Sequence, residues 1–349
     1  MAISLNEILG LLENIPSLSD VHLCVGSKIS YRNVGEIKYI EDNPALTEDD
    51  MTGIMKELLD KYTNGYEKYL ETREMDINYY SSSGAPYRVN TFFKLNKMAA
   101  AMRRIAYKPI ALENLIYDDI ANTIKSSILN QKNGLFLVTG PTGSGKTTSL
   151  ISMIEHLNLT RKEHIITIED PIEFIFQQKS CLISQRELGS DTLSYANAMR
   201  SAMREDPDII FVGEIRDPET AEAALNLAET GHLVFSTLHT KTAASTVYRL
   251  ISLFPSEIQE SIKDRIAQSL LGIQSQYLLQ TKDGLSRVGL YEFMINSTAV
   301  RNDIRKNAGR QIDAIIETSR QLGMISHLEY AKRLIADGRI DKSVVDWLF

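Results

Sequence analysis

The chain has 349 residues, 43% of them apolar and 24% charged, and a formal net charge of -7. That length admits about two domains, the apolar share excludes a disordered chain, and the acidic balance gives no support to a nucleic-acid sheath. Cys24 and Cys181 are the only cysteines, which excludes a four-cysteine zinc site within one chain and speaks against a disulfide framework.

The residues 1–7 hold no basic region leading into an apolar one, and no apolar run is long enough to span a bilayer. A cytoplasmic protein is expected, with peripheral docking left open. Ser4 and Glu7 form a capping box for a first helix whose apolar face is Leu5, Ile8, Leu9 and Leu12. Short strands are predicted over 21–25, 28–31 and 36–40, joined as an antiparallel sheet. A helix follows over 47–59, then strands over 75–80 and 87–94 around the turn residues Ser81 to Gly84. Residues 1–108 thus read as a small α/β domain without a catalytic triad, Lys108 and Pro109 open a linker over 109–114, and the remainder to 349 is a second domain. Cys24 and Cys181 are both expected as buried small hydrophobes.

Beyond Leu115 a helix is predicted towards Asn130, after which strand, glycine loop and helix alternate as in a parallel α/β core. Core strands are predicted over 135–139, 165–168, 209–212 and 233–237. Gly140, Glu169, Gly213 with Glu214, and His239 follow them in turn. Ligands of parallel sheets gather at the carboxyl ends of the strands, so this repetition points to one site. Asp217 caps the helix after the third strand and Pro218 takes its first position. Ala221, Ala224, Leu225 and Ala228 make its apolar face, and Gly231 ends it.

The run Gly140-Pro141-Thr142-Gly143-Ser144-Gly145-Lys146-Thr147 is a phosphate-binding loop. Its glycines let backbone amides curl around phosphate oxygens, and the following helix, from Thr148, adds amides with a favourable dipole. Lys146 reaches the β and γ phosphates and Thr147 can ligate Mg²⁺. Glu214, just past an apolar strand, is the candidate to polarise the attacking water. Glu169, with Asp170, can hold Mg²⁺-bound water or orient Glu214. Asp208, before its strand, is assigned a structural capping role or an interface contact. His239 is a candidate site residue that senses charge or bonds a carboxylate, and His232 is a second candidate. Neither is a zinc ligand without matching partners.

The loop 140–147, Thr167-Ile168-Glu169-Asp170-Pro171-Ile172-Glu173-Phe174, residues 208–217 and residues 229–240 keep one order along the chain. Together they resemble the Walker A, acidic box, atypical Walker B and histidine box of the type IV pilus retraction ATPases, within the type II/type IV secretion ATPase superfamily. The resemblance runs from near Asp20 into the C-terminal region. It implies a PAS-like N-terminal domain before a RecA-like ATPase domain with a C-terminal helical region. It further implies a homohexamer with ATP sites between domains and neighbouring subunits, using ATP and Mg²⁺. The implied partners are an inner-membrane pilus platform protein and a second pilus ATPase, with no direct nucleic acid, at the cytoplasmic side of the inner membrane.

By the same resemblance Arg88 and Arg103 match the family's N-terminal cations, with Arg104 an adjacent substitute, while Asn96 stands where a later arginine is usual. Arg103 is expected to stabilise charge at a nucleotide site, across an interface or within the subunit; His232 joins the three arginines as an intersubunit candidate. Ala299-Val300-Arg301-Asn302-Asp303-Ile304 resembles a segment typical of retraction ATPases, with Asp303 in place of an apolar member and a weaker apolar contact expected there. The longer N-terminal region and four-cysteine motif common in extension ATPases are lacking, which favours retraction. A type IVB secretion or conjugation ATPase is the related alternative, and a nucleotide-binding assembly regulator the non-enzymatic one.

Overall fold

The computed structural model describes residues 3–15, 18–33, 36–41, 43–105, 109–284, 286–307 and 309–348. Met1, Ala2 and Lys108, which figure in the sequence reading, lie outside them. The chain forms two compact units, Met1–Lys108 and Pro109–Phe349.

The first unit runs α1 (Leu5–Leu12), β1 (Leu18–Cys24), β2 (Ser30–Asn33), β3 (Glu36–Tyr39), α2 (Glu48–Leu59), α3 (Gly65–Thr72), β4 (Glu74–Tyr80), β5 (Pro86–Lys94) and β6 (Lys97–Arg104). Its strands pair antiparallel in the order β3-β2-β1-β6-β5-β4, which makes the PAS-like unit. Both helix starts are set by local chemistry. Ser4 with Glu7, and Thr47 with Asp50, complete capping boxes that satisfy otherwise orphaned amides. Leu5, Ile8, Leu9 and Leu12 of α1 are all buried, each worth about 2 kcal/mol of apolar burial. They pack with Met51, Met55 and Leu58 of α2 on one face of the sheet. The other face carries polar side chains, because strand residues alternate. Cys181 is buried as expected, whereas Cys24 ends β1 and is only half-buried.

The second unit opens with a short α4 (Leu112–Leu115); beyond Leu115 the predicted helix towards Asn130 is α5 (Asp118–Ile124), which continues without a break as a π-helical turn (Lys125–Leu129). Ile116 and Tyr117 adopt non-helical backbone between the first two. Then follow β7 (Gly134–Thr139), α6 (Lys146–Thr160), β8 (His164–Glu169), β9 (Leu182–Glu187), α7 (Tyr195–Ala202), β10 (Ile209–Val212), α8 (Pro218–Glu229) and β11 (Leu233–Leu238). The C-terminal part adds α9 (Ala243–Ser252), α10 (Gln259–Ser269), β12 (Leu270–Gln280), β13 (Arg287–Ile295), α11 (Thr298–Asn307), α12 (Ile312–Thr318) and α13 (His327–Ala336).

The strand order is β13-β12-β7-β11-β10-β8-β9. The four predicted strands pair in parallel as expected, and every neighbouring pair of the sheet is parallel except the β12–β13 hairpin at its edge. Phe136 and Val138 of β7 enter one apolar layer while Leu135 and Leu137 enter the other. Burial on both faces explains why the central strands read as unbroken apolar runs. The result is the RecA-like α/β architecture. Asp303 departs from its sequence reading. Val300 and Ile304 keep the apolar contact of α11, and the buried Asp303 carboxylate accepts from the Gln311 amide (2.9 Å) at the start of α12. Among the described residues no helix is long and apolar enough to cross a membrane.

Candidate active site

Parallel pairing brings the carboxyl ends of β7, β8, β10 and β11 to one edge of the sheet. A cleft of about 640 Å³ opens there, lined wholly by residues of the second unit. The phosphate loop joins β7 to α6 along this edge. Gly140 has φ +146° and sits where a Cβ would lie 2.2 Å from the Gln276 carbonyl oxygen. Gly145 has φ +87° as it starts α6. A side chain at either position would be strained, and at Gly140 it would also collide with backbone.

Thr142 to Thr148 line the cleft, whereas Gly140 and Pro141 are not among its lining residues. The Lys146 ammonium donates to the carbonyls of Gly140 (2.9 Å) and Pro141 (3.1 Å), which keeps it over the loop. Burial holds its pKa below the ordinary lysine value, and Glu214 and Glu173 oppose that shift.

The turn after β10 carries Glu214. The Gly213 amide donates to the Ile168 carbonyl (2.8 Å), Thr237 Oγ1 donates to the Gly213 carbonyl (2.7 Å), and the Ile215 amide donates to the Thr237 carbonyl (3.0 Å). Neighbouring strands therefore hold the glutamate from both sides. Its Oε1 meets the Arg216 guanidinium and its Oε2 lies 3.3 Å from His239 Nε2. The hydrogen bond to Glu214 raises the Arg216 pKa above its usual value. Glu169 ends β8 buried beside the same cleft. Its Oε1 accepts from Thr167 Oγ1 (2.7 Å) and Gln185 Nε2 (3.3 Å), and burial pushes its pKa up to about 7 against those bonds. The Asp208 carboxylate accepts from the His164 amide at 2.9 Å.

Glu214, His239, Glu169, Lys146, Thr147 and Thr148 thus share one cleft. His232 does not. Its Nδ1 lies 3.0 Å from the Leu227 carbonyl and 3.3 Å from Thr230 Oγ1, before β11 begins. A six-residue strand separates the two histidines, a span of about 20 Å. Arg88 and Arg103 stand opposite each other on β5 and β6 of the first unit. Arg103 is exposed and its Nε donates to Asp20 (2.9 Å). Arg104 is no substitute for Arg103. The pleat turns it to the other face, where it donates to the Glu13 carbonyl (3.0 Å).

Sequence reasoning gave no role to Tyr195, Arg216 and Arg287, which also line the cleft. A Cβ on Gly213 would lie 3.0 Å from the Tyr195 hydroxyl, so that glycine admits the phenol. Burial, then the charges of Asp170 and Glu214, raise the Tyr195 pKa. Arg216 was legible as the cation two residues after Glu214, in a helix-start segment. Arg287 opens β13, a strand the sequence reading did not assign.

The family model for type II/IV secretion system proteins matches residues 77–336, and the chain belongs to that family. Among its relatives, the type IV pilus retraction ATPase PilT of Pseudomonas aeruginosa is 41% identical over 93% of this chain and 92% of its own. A twitching motility protein of Neisseria gonorrhoeae is 46% identical over 78% of this chain and 72% of its own. The crystal structure of the pilus retraction motor PilT with bound ADP superposes with a TM-score of 0.81 at 38% identity, covering 95% of this chain and 96% of that one.

Proposed function

We propose that this chain is a motor ATPase that powers type IV pilus retraction, working as a homohexamer on the cytoplasmic face of the inner membrane beside a pilus platform protein. One observation carries the chemistry: Glu214 stands at the mouth of the phosphate loop, with one carboxylate oxygen on Arg216 and the other on His239. A carboxylate has about four lone-pair sites, so these two contacts leave room to accept a proton or hold a water. The direction of work rests on likeness to retraction ATPases across more than nine-tenths of both chains.

In this reading the loop amides and Lys146 bind the phosphates of ATP, and Lys146 stabilises charge that develops there. Glu214 orients water towards the γ phosphate, and His239 and Arg216 hold Glu214 in place. The Thr147 hydroxyl and Glu169 carboxylate suit Mg²⁺, a hard cation that takes few protein oxygens. When bound, that ion would neutralise phosphate charge. Among the described residues no group of three or more His, Cys, Asp or Glu side chains forms a separate metal site. Arg103, exposed on its sheet face, is the proposed cation offered to a neighbouring subunit's nucleotide, with Arg88 beside it.

The test is deletion of the gene in its host, with live imaging of labelled pili. Pili should form but retract rarely. Wild-type protein should restore retraction, and Glu214→Gln should not. Loss of pilus formation with normal component expression would overturn retraction in favour of extension. Normal pilus cycling with lost secretion or DNA transfer would point to a secretion motor.

A further inference from the structure

Behind the phosphate loop lies a buried polar seam that the reading above does not use. β12 pairs with β7 only as far as Ser275 opposite Thr139. There β7 ends and the loop begins, while β12 continues beside β13. Gln276 is the first residue past that pairing, and it is 1% exposed. Its carbonyl oxygen is the atom that a side chain at Gly140 would strike. Its side-chain Nε2 donates to the Ser144 carbonyl at 2.7 Å. Its Oε1 accepts from Ser149 Oγ of α6 at 2.9 Å and from Gln274 Nε2 at 2.9 Å. Ser149 and Gln274 are themselves fully buried.

A buried amide is costly unless its groups are paired, and here the pairing has a directional consequence. The Ser144 carbonyl and the Gly145 N–H belong to one planar trans peptide, so they point in opposite directions. A carbonyl drawn back onto Gln276 turns the Gly145 N–H the other way, towards the cleft that Gly145 lines. Gly145 is also where the φ of +87° leaves the peptide without the restraint of ordinary helical backbone. We infer that Gln276 is a positioning residue for nucleotide binding: from beneath the loop it fixes the Ser144–Gly145 peptide so that the Gly145 amide meets a nucleotide phosphate. Ser149 and Gln274 hold the Gln276 amide group in the orientation that presents Nε2 rather than Oε1 to Ser144. The inference rests on the reading that residues 140–147 hold nucleotide phosphates.

The experiment measures ADP affinity by calorimetry and ATP turnover on the full chain, with circular dichroism to confirm folding. Gln276→Met keeps the volume but removes the donor. It should weaken ADP binding about tenfold, and KM for ATP should rise while kcat at saturation changes less, because ground state and transition state lose the same contact. Gln276→Glu is the second variant. Protonated, its carboxyl still donates to the Ser144 carbonyl; ionised, it repels it. The ratio of variant to wild-type Kd for ADP should therefore rise at least several-fold between about pH 6 and about pH 9, a change that a purely packing role would not produce. Wild-type ADP affinity in folded Gln276→Met, or a pH-independent ratio for Gln276→Glu, overturns the role of Gln276. ADP binding to the wild-type chain that is insensitive to Lys146→Ala overturns the phosphate-site reading instead.

Discussion

Lys146 and Glu214 face the same cleft but act on different parts of the cycle. Lys146→Ala removes the ammonium that the loop carbonyls of Gly140 and Pro141 hold in place. Nucleotide binding should weaken and turnover should fall severely, checked by calorimetry with ADP and by phosphate release. Glu214→Gln keeps the shape of the side chain but removes its charge and its capacity as a base. Phosphate release should drop about 10²- to 10⁴-fold while ADP affinity stays within a small factor of wild type. Equal losses in binding and rate would place Glu214 in a structural part. His239 and Arg216 touch Glu214 through opposite oxygens, so their loss is expected to act through its position.

Caps decide several element boundaries, and two of them yield predictions. Thr47 and Asp50 cap α2 reciprocally, and Thr47→Ala should cost about 1 kcal/mol in denaturant unfolding. Bonds from the Thr47 side chain, then its backbone, hold the Asp50 carboxyl below its ordinary value of 3.8. A lowered folded pKa means stability present above 3.8 and lost as pH falls through the folded value. The gap between wild type and Asp50→Asn should therefore narrow in acid. In the C-terminal part, Asp303→Leu supplies the apolar residue that the resemblance to the retraction-ATPase segment implies, but leaves the Gln311 amide without its acceptor. It should destabilise the chain by about 1–2 kcal/mol, while Asp303→Asn, which keeps an oxygen, should cost less. Thermal unfolding of the two variants side by side checks this.

In the proposed homohexamer Arg103 is the cation offered to a neighbouring subunit's nucleotide, and mixed rings test that role. Its exposed guanidinium is tethered to Asp20 through Nε at 2.9 Å, and a guanidinium has further N–H donors with which to serve a second anion. Chains carrying Arg103→Ala and chains carrying Glu214→Gln are each expected to be slow alone. Mixed rings should regain turnover where a Glu214→Gln subunit lends its Arg103 to a neighbour with an intact Glu214. Mixed assembly is confirmed first, by mass or by differential tagging. No regain would assign Arg103 to its own subunit or to assembly.

The amino-acid sequence alone determined those features whose physics is local. The phosphate loop is contiguous, its glycines and Lys146 are close in the chain, and the apolar strands before Glu169, Glu214 and His239 are buried on both faces. Capping residues at Ser4, Thr47 and Asp217 likewise bond within three positions. Tertiary structure decided the rest. β12 escaped the sequence reading because Gln274, Ser275 and Gln276 interrupt its apolar run; they are buried in the seam behind the phosphate loop, where Ser275 Oγ, both ends of the Gln276 amide and the Gln274 Nε2 find partners. The edge strand β9 is half-buried and polar, and β6 is rich in alanine, so neither shows strand periodicity. Arg287 joins the cleft through the β12–β13 hairpin, Tyr195 through a helix, and His232 is carried away by the length of β11. Long-range pairing of this kind has no signature in neighbouring residues, since the partners meet only after the backbone has closed the sheet.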